Sequence, residues 1–286
     1  MTRRIPLVLA AALGLIVIVI VVFAQDDGPD DEPEDERDAS SEGAAASLDR
    51  VIDGDSLELV VDGAPVEVRL LSINAPELHT LDDADSCNGS AARDHLTGLV
   101  EAASSLRFIA GEQDRFGRQL GELLVDGRPV TALMVEDGWA LALWSGEDPA
   151  RTDAMMAAAA SEVGLWGDRC GVADSNDLAI VDWQMDPPGR DDENITDEWV
   201  VVANQGSDAV DLDGWMIRDE TTTNRYRIDG YTLGAGDELR FRSGSGSTGA
   251  GDYYLGSSFP VWSNRGETVL LVDPGGRVAA HAFVEG

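Results

Sequence analysis

The sequence predicts a mixed fold, in which a small β-barrel with helices is followed by an all-β sandwich. Segments with strand and helix patterns alternate from residue 47 to residue 171. From residue 178 onward, short strand-like runs alternate with Gly, Asn and Asp turns, which is typical of a sandwich. Ahead of both, residues 1–46 carry an apolar run and then an acidic one, and neither fits a packed domain.

The first 24 residues predict export from the cell. Arg3 and Arg4 precede an uncharged apolar run, residues 5–24, which is about long enough to span a bilayer. Basic residues before the run and acidic residues after it place the rest of the chain on the extracellular face. Two alternatives stay open: an uncleaved membrane anchor, or a signal peptide cleaved near Ala24. The acidic residues 25–46, rich in Pro, Ser, Gly and Ala, predict a disordered tether.

The charge of the chain limits its partners. The formal net charge is −34, and all 20 basic residues are arginines. So acidic a protein does not attract DNA or anionic lipid through bulk charge in dilute buffer. Because the acidic residues are spread along the chain, we favour a halophilic surface suited to concentrated salt, which screens charge repulsion. The alternative is an acidic surface that binds a partner.

The elements of the first domain, residues 47–171, follow from residue patterns. Three strands are predicted in the runs SLDRVI, SLELVVDG and PVEVRLLSI. A helix follows at residues 90–104, where apolar residues recur at helical spacing. Two more strands, SLRFIA and GRQLGELLVDG, precede a short helix in PVTALMVEDG. The last helix begins after Asp148, which suits an N-cap, with Pro149 at its first position. Five strands interleaved with helices are compatible with a closed barrel such as an OB-fold.

The chain has two cysteines, Cys87 and Cys170, which are too few for a cysteine metal site. In an exported protein a disulfide between them is the expectation. The alternative is two independent free thiols.

Four motifs of the first domain occur in an order and spacing that resemble one known family. They are VIDGDSLEL, VRLLSINAPE, DRFGRQLGELLVDGRPVTALMVEDGWA and GLWG. Together they resemble the staphylococcal-type thermonucleases (SNase) over nearly all of residues 47–171. The resemblance implies a five-stranded OB-fold β-barrel with helices. It also implies a calcium-dependent phosphodiesterase that cleaves DNA and RNA.

The resemblance implies catalytic roles for three residues. Arg69 and Arg118 fall on the two arginines that contact the scissile phosphate, and Glu77 falls on the general base. Chemistry agrees with these residue types, because Arg offers fixed bidentate donors to phosphate and a carboxylate near a water can take its proton. Each residue also has an ordinary structural explanation, since an Arg in a strand is usually at the surface. The joint spacing favours the site.

The resemblance also implies a Ca²⁺ site. Asp55 falls on a calcium ligand, and Asp53 beside it shapes the turn or supports the ligand from behind. Asn74 stands where the family has a second ligand, an Asp. Asn keeps a carbonyl oxygen but loses one negative charge, so weaker calcium binding is expected. Taken alone, Asp-Gly-Asp between two strands is a common turn.

Substrate binding is implied for three further residues. Arg115, Phe116 and Trp144 fall where the family holds a nucleotide's phosphate and stacks its base. A groove with aromatic faces suits single-stranded DNA or RNA.

The second domain, residues 178–286, resembles a lamin-tail domain. The similarity lies in DPPGRDDENITDEWVVVANQGSDAVDLDGWMIRDE and FPVWSNRGETVLLVDPGGRVA, with a Trp after DLDG and a W-x-N-x-G step. It implies an immunoglobulin-like sandwich whose ligand is unknown.

Two functions therefore compete. The first is an exported, metal-dependent nuclease with an accessory sandwich, favoured by the presence of both arginines and Glu77. The second is a non-catalytic module that binds nucleic acid or envelope components through a degenerate nuclease barrel. Asn74 and the acidity of the chain favour the second.

Overall fold

The structure, a computed structural model, describes residues 43–80, 84–144, 148–171, 173–174, 177–190, 192–249 and 251–285. The predicted export segment and nearly all of the predicted tether lie outside this range. Within it, no helix is both long and apolar enough to cross a membrane.

The first domain contains eight strands among the residues that the structure describes. Its strands are β1 (Ala44–Val51), β2 (Ser56–Val61), β3 (Ala64–Leu70), β4 (Ile73–Asn74), β5 (Leu106–Gln113), β6 (Gln119–Val125), β7 (Arg128–Pro129) and β8 (Leu141–Ala142). β1, β2, β3, β5 and β6 form a sheet that closes on itself through parallel pairing of β3 with β6. The short strands β4 and β8 pair separately beside the barrel.

Three helices surround the barrel: α1 (Cys87–Ala102), α2 (Val130–Glu136) and α3 (Pro149–Ala160). Ser86 caps α1 by accepting a hydrogen bond from the main chain of Gly89. Asp148 caps α3 in the same way, and Pro149 occupies the first turn as its sequence predicts. A disulfide joins Cys87, at the start of α1, to Cys170 after the last helix, with 5.7 Å between their Cα atoms.

The second domain is a sandwich of two four-stranded sheets. Its strands are β9 (Leu178–Gln184), β10 (Trp199–Asn204), β11 (Val210–Asp211), β12 (Met216–Arg218), β13 (Arg225–Arg227), β14 (Thr232–Leu233), β15 (Glu238–Arg242), β16 (Asp252–Tyr254), β17 (Gly266–Val272) and β18 (Val278–Glu285). One sheet has the order β16-β15-β10-β9 and the other β13-β12-β17-β18. Their facing residues form a single apolar core.

β17 joins the two domains. Every residue of this strand is buried, including the polar residues Glu267 and Thr268 ahead of its apolar run. Val269 and Leu271 belong to the core of the sandwich, whereas Leu270 and Val272 pack into the core of the barrel. Alternate side chains of a strand point to opposite faces, so β17 is covered on both sides. The predicted fold class, an OB-type barrel with helices followed by an all-β sandwich, is confirmed.

Candidate active site

The turn between β1 and β2 presents Asp55 to the interior. The main-chain N–H of Asp55 donates to Asp53 Oδ1 at 2.9 Å, so Asp53 shapes the turn as one sequence interpretation expected. Gly54 is needed there, because a Cβ would lie 2.5 Å from Ala75 Cβ and 2.8 Å from Ala92 Cβ. Asp55 is buried, and its Oδ2 accepts a 2.7 Å hydrogen bond from the main chain of Ala75.

Arg69, near the end of β3, links two residues that the sequence assigned to calcium. Its Nη1 forms an ion pair with Asp55 Oδ1, and its Nη2 donates to Asn74 Oδ1 at 3.1 Å. Antiparallel pairing of Arg69 with Ser56 brings the guanidinium to the Asp-Gly-Asp turn. Burial lowers the pKa of Arg69, and repulsion from Arg118 adds to this effect.

Asn74 also contacts the second domain. Its Nδ2 donates a buried hydrogen bond to the main-chain carbonyl of Glu220 at 2.8 Å. An Asp at this position has no N–H to donate, so the amide nitrogen gives a physical reason for the departure from the family pattern.

The residues assigned to calcium do not form a calcium site in this arrangement. Both carboxylate oxygens of Asp55 contact protein donors, and the side-chain oxygen of Asn74 accepts from Arg69. The guanidinium of Arg69 supplies positive charge where a cation would have to bind. Among the described residues, no three His, Cys, Asp or Glu side chains are grouped so that they could hold a metal ion.

Glu77 follows Pro76 in the loop after β4. Gly89, in the first turn of α1, lets the helix approach this loop, because a Cβ there would lie 1.9 Å from the Glu77 carbonyl oxygen. The Glu77 carboxylate pairs with Arg225 of the second domain at 3.2 Å, and its side chain is 48% exposed.

Arg118 belongs to the loop between β5 and β6. Asp114 holds it by accepting from Arg118 Nε at 2.8 Å and from the Arg118 main chain at 3.0 Å. Partial desolvation of Asp114 raises its pKa. The hydrogen bonds from Arg118 and from the Phe116 main chain outweigh this effect, so the pKa of Asp114 is lowered. The ring of Phe116 is exposed, and the Arg115 guanidinium lies 4.8 Å from its centre. The three residues assigned to this loop thus occupy one exposed corner.

A small cavity of about 120 Å³ brings the predicted site residues together. Its lining includes Asp55, Arg69, Glu77 and Arg118, together with Asp53 and with Thr222 of the second domain. The two arginines and the carboxylates therefore share one space. Their chemical roles stay predictions.

Trp144 lies elsewhere. Its indole N–H donates to Thr268 Oγ1 of the second domain at 3.0 Å, and its main-chain N–H donates to Glu220 Oε1 at 3.4 Å. The side chain packs against the barrel core and contacts the second domain, so it lies in the domain junction. Its assigned role in base stacking stays a prediction.

The second domain supplies residues that the sequence interpretation missed: Glu220, Thr222 and Arg225. Nothing local in ETTTNRYR, residues 220–227, marks them, because their position depends on how the two domains pack. Asp114, by contrast, has a local signal in the sequence. The motif DRFGR contains it, and a carboxylate four residues before an arginine signals a partner for that arginine.

The barrel and its cavity define a nuclease-like domain, and comparison with known families agrees. Residues 67–168 match the model described as staphylococcal nuclease homologue. Residues 172–285 match the model of the lamin tail domain. The chain belongs to the staphylococcal nuclease homologues and carries a lamin tail domain after the nuclease-like barrel.

Individual relatives match the nuclease-like part. Protein ParB of Escherichia coli is 36% identical over 131 residues, which are 42% of this chain and 70% of ParB. Micrococcal nuclease of Shigella flexneri is 32% identical over 133 residues, which cover 42% of this chain and 71% of that enzyme. Endonuclease YncB of Bacillus subtilis strain 168 is 31% identical over 96 residues, covering 33% of this chain and 46% of YncB.

Proposed function

We propose that the protein is an endonuclease that hydrolyses phosphodiester bonds of DNA and RNA, with single strands preferred. The observation that carries the proposal is the cavity in which Arg69, Arg118 and Glu77 face a common space beside Asp55. Two named nucleases among the relatives support it. The exposed ring of Phe116, with Arg115 beside it, suits a single-stranded base and its phosphate.

The proposed chemistry uses the residues of this chain. Arg69 and Arg118 would donate hydrogen bonds to the phosphate oxygens and stabilise the charge that grows in the transition state. Glu77, which is half-exposed, would orient a water molecule and accept its proton. Asp114 would fix the direction of Arg118. Asp55 would position Arg69 through their ion pair.

Calcium dependence, which the family resemblance implies, enters the proposal in a weak form. A cation would have to displace Arg69 from Asp55 and Asn74, and only one of these two ligands is a carboxylate. We therefore propose that any calcium requirement is met only at high calcium concentration.

We also propose that the protein acts outside the cell, either anchored by residues 5–24 or released by cleavage near Ala24. The disulfide between Cys87 and Cys170 supports an oxidising compartment. Protease treatment of intact cells tests this, because an external protein is degraded while cytosolic proteins survive. A halophilic surface is proposed from the net charge of −34.

The alternative function is a non-catalytic nucleic-acid- or envelope-binding module. The observation that favours it is the ion pair that occupies Asp55 and Arg69. The two functions separate when the purified full chain is incubated with a single-stranded oligonucleotide, with calcium or with chelator, across a salt series. The nuclease proposal expects fragments. An oligonucleotide that binds and stays intact under every condition contradicts it and supports the module.

A further inference from the structure

A second, larger cavity lies where the barrel and the sandwich meet. Its volume is about 530 Å³, which is within the usual range of small-ligand sites. It adjoins the candidate active site, because Asp53, Pro76 and Glu77 line both cavities.

Part of the lining of this junction cavity is apolar and comes from both domains. Leu78, Leu141 and Leu165 of the barrel contribute to it, as do Met216 and Val278 of the sandwich. Such a surface suits a flat, largely apolar group.

The lining also includes two arginines of the sandwich. Arg218 and Arg225 stand directly opposite each other on the antiparallel strands β12 and β13. Like charges in this register repel each other, which costs folding free energy unless something compensates. Asp219, Glu220 and Glu77 offset part of the charge, with Glu77 bonded to Arg225.

Arg218 is almost fully buried, and its hydrogen bonds leave one end free. Nε donates to the Asp219 carbonyl at 2.8 Å, and Nη2 donates to the Thr221 carbonyl at 2.8 Å. Nη1 has no hydrogen-bond partner among the residues that the structure describes. Burial lowers the pKa of Arg218 to about 10, so the guanidinium stays charged at neutral pH.

We propose that the junction cavity binds one nucleoside phosphate of the substrate strand, next to the nucleotide whose phosphate is cleaved. Arg218 and Arg225 hold the phosphate, and the apolar part of the lining holds the base. The lamin tail domain is then part of the substrate site. A phosphate that pairs with Arg225 also releases Glu77 from its ion pair with this arginine, and the freed carboxylate can then act as the proposed base. The proposal rests on the proposed nuclease function.

Calorimetric titration of the full chain with deoxyadenosine 5′-monophosphate tests the cavity itself. Arg225→Gln is expected to weaken binding about tenfold or more, because it removes a charge-assisted contact. Arg265→Gln is the matched control, since this arginine is exposed on the same domain and does not line the cavity. Val278→Phe is expected to weaken binding as well, by filling the apolar part of the cavity without changing the charge. Equal affinity in wild type and Arg225→Gln, or no binding by wild type, overturns the proposal.

Cleavage assays on the same proteins separate this proposal from the nuclease function. Wild type that cleaves the oligonucleotide but does not bind the monophosphate overturns the cavity alone. Wild type that binds the monophosphate through Arg225 but cleaves nothing supports the cavity and overturns the nuclease function. The monophosphate is expected to inhibit cleavage competitively, with an inhibition constant equal to its dissociation constant. Binding without inhibition contradicts a substrate subsite and leaves a free mononucleotide as the ligand.

Discussion

Asn74 Nδ2 donates a hydrogen bond to the main-chain carbonyl of Glu220 at 2.8 Å, in the buried junction between barrel and sandwich. The residue that departs from the nuclease pattern is thus one of those that tie the nuclease-like domain to the lamin tail domain. Its other side-chain atom, Oδ1, accepts from Arg69. Asn74 therefore connects the candidate site to the domain junction.

The first prediction concerns Asn74→Asp. The sequence alone predicts that this change tightens calcium binding by restoring a charge. The structure adds a cost, because a carboxylate oxygen would face the Glu220 carbonyl with no proton between them, at about 1–3 kcal/mol. We expect a lower melting temperature without calcium. Thermal melting with and without calcium measures both effects.

Asn88→Asp is the control for this prediction. Asn88 Nδ2 donates to the Gly276 carbonyl at 3.0 Å, which is a second junction bond away from Asp55. Asn88→Asp should lower the melting temperature, and added calcium should not restore the melting temperature of this variant. Unchanged stability of Asn74→Asp would contradict the anchoring role.

The second prediction concerns the disulfide. Cys87 and Cys170 are 83 residues apart, and in the chain-entropy model closing so long a loop stabilises by about 4–5 kcal/mol at most. From the sequence alone, reduction should affect the barrel and spare the sandwich. In the structure, however, Leu270 and Val272 of the sandwich pack into the barrel core, so the two domains share that core. We now expect reduction to lower one common transition, as measured by calorimetry. Two transitions, with the upper one unchanged by reductant, would show that the shared core does not couple the domains.

The third prediction is a pH dependence of stability. Burial, with repulsion from nearby carboxylates, raises the pKa of Glu267 to about 9 and that of Glu220 to about 7. The folded protein then holds these protons more tightly than the unfolded chain does. Their contribution to stability is complete below pH about 4.5 and is lost as the pH rises towards 9.

Denaturant unfolding at pH 5 and pH 9 measures this effect. The free energy of unfolding should fall by more than about 1 kcal/mol over this interval. Glu267→Gln cannot ionise, so the fall should be smaller in that variant. A variant with the same fall as wild type would mean that Glu267 does not titrate in this range.

The sequence predicted most of the fold because its signals are local. The cap Asp148, the helical spacing in α1 and the strand patterns of the barrel all act over a few residues. Four motifs in fixed order also brought Arg69, Glu77 and Arg118 into one site. The sequence did not predict the contacts between the two domains. Asn74 contacts Glu220, which is 146 positions away, and Trp144 contacts Thr268, which is 124 positions away. Such pairs leave no local pattern.

Arg118 is proposed to act on the scissile phosphate, and its substitution is the most direct test of the proposed nuclease function. The side chain is held by Asp114 at the edge of the cavity and supports no core contact, so Arg118→Ala should fold normally. Arg128→Ala removes an exposed arginine of the same domain that pairs with Glu136, and it is the matched control. The measurement is the turnover number on single-stranded DNA, with folding checked by circular dichroism. We predict that Arg118→Ala lowers turnover about a hundredfold to a thousandfold, by analogy with the loss of one oxyanion donor, while Arg128→Ala does not. Wild-type turnover in folded Arg118→Ala would contradict the proposed role of Arg118.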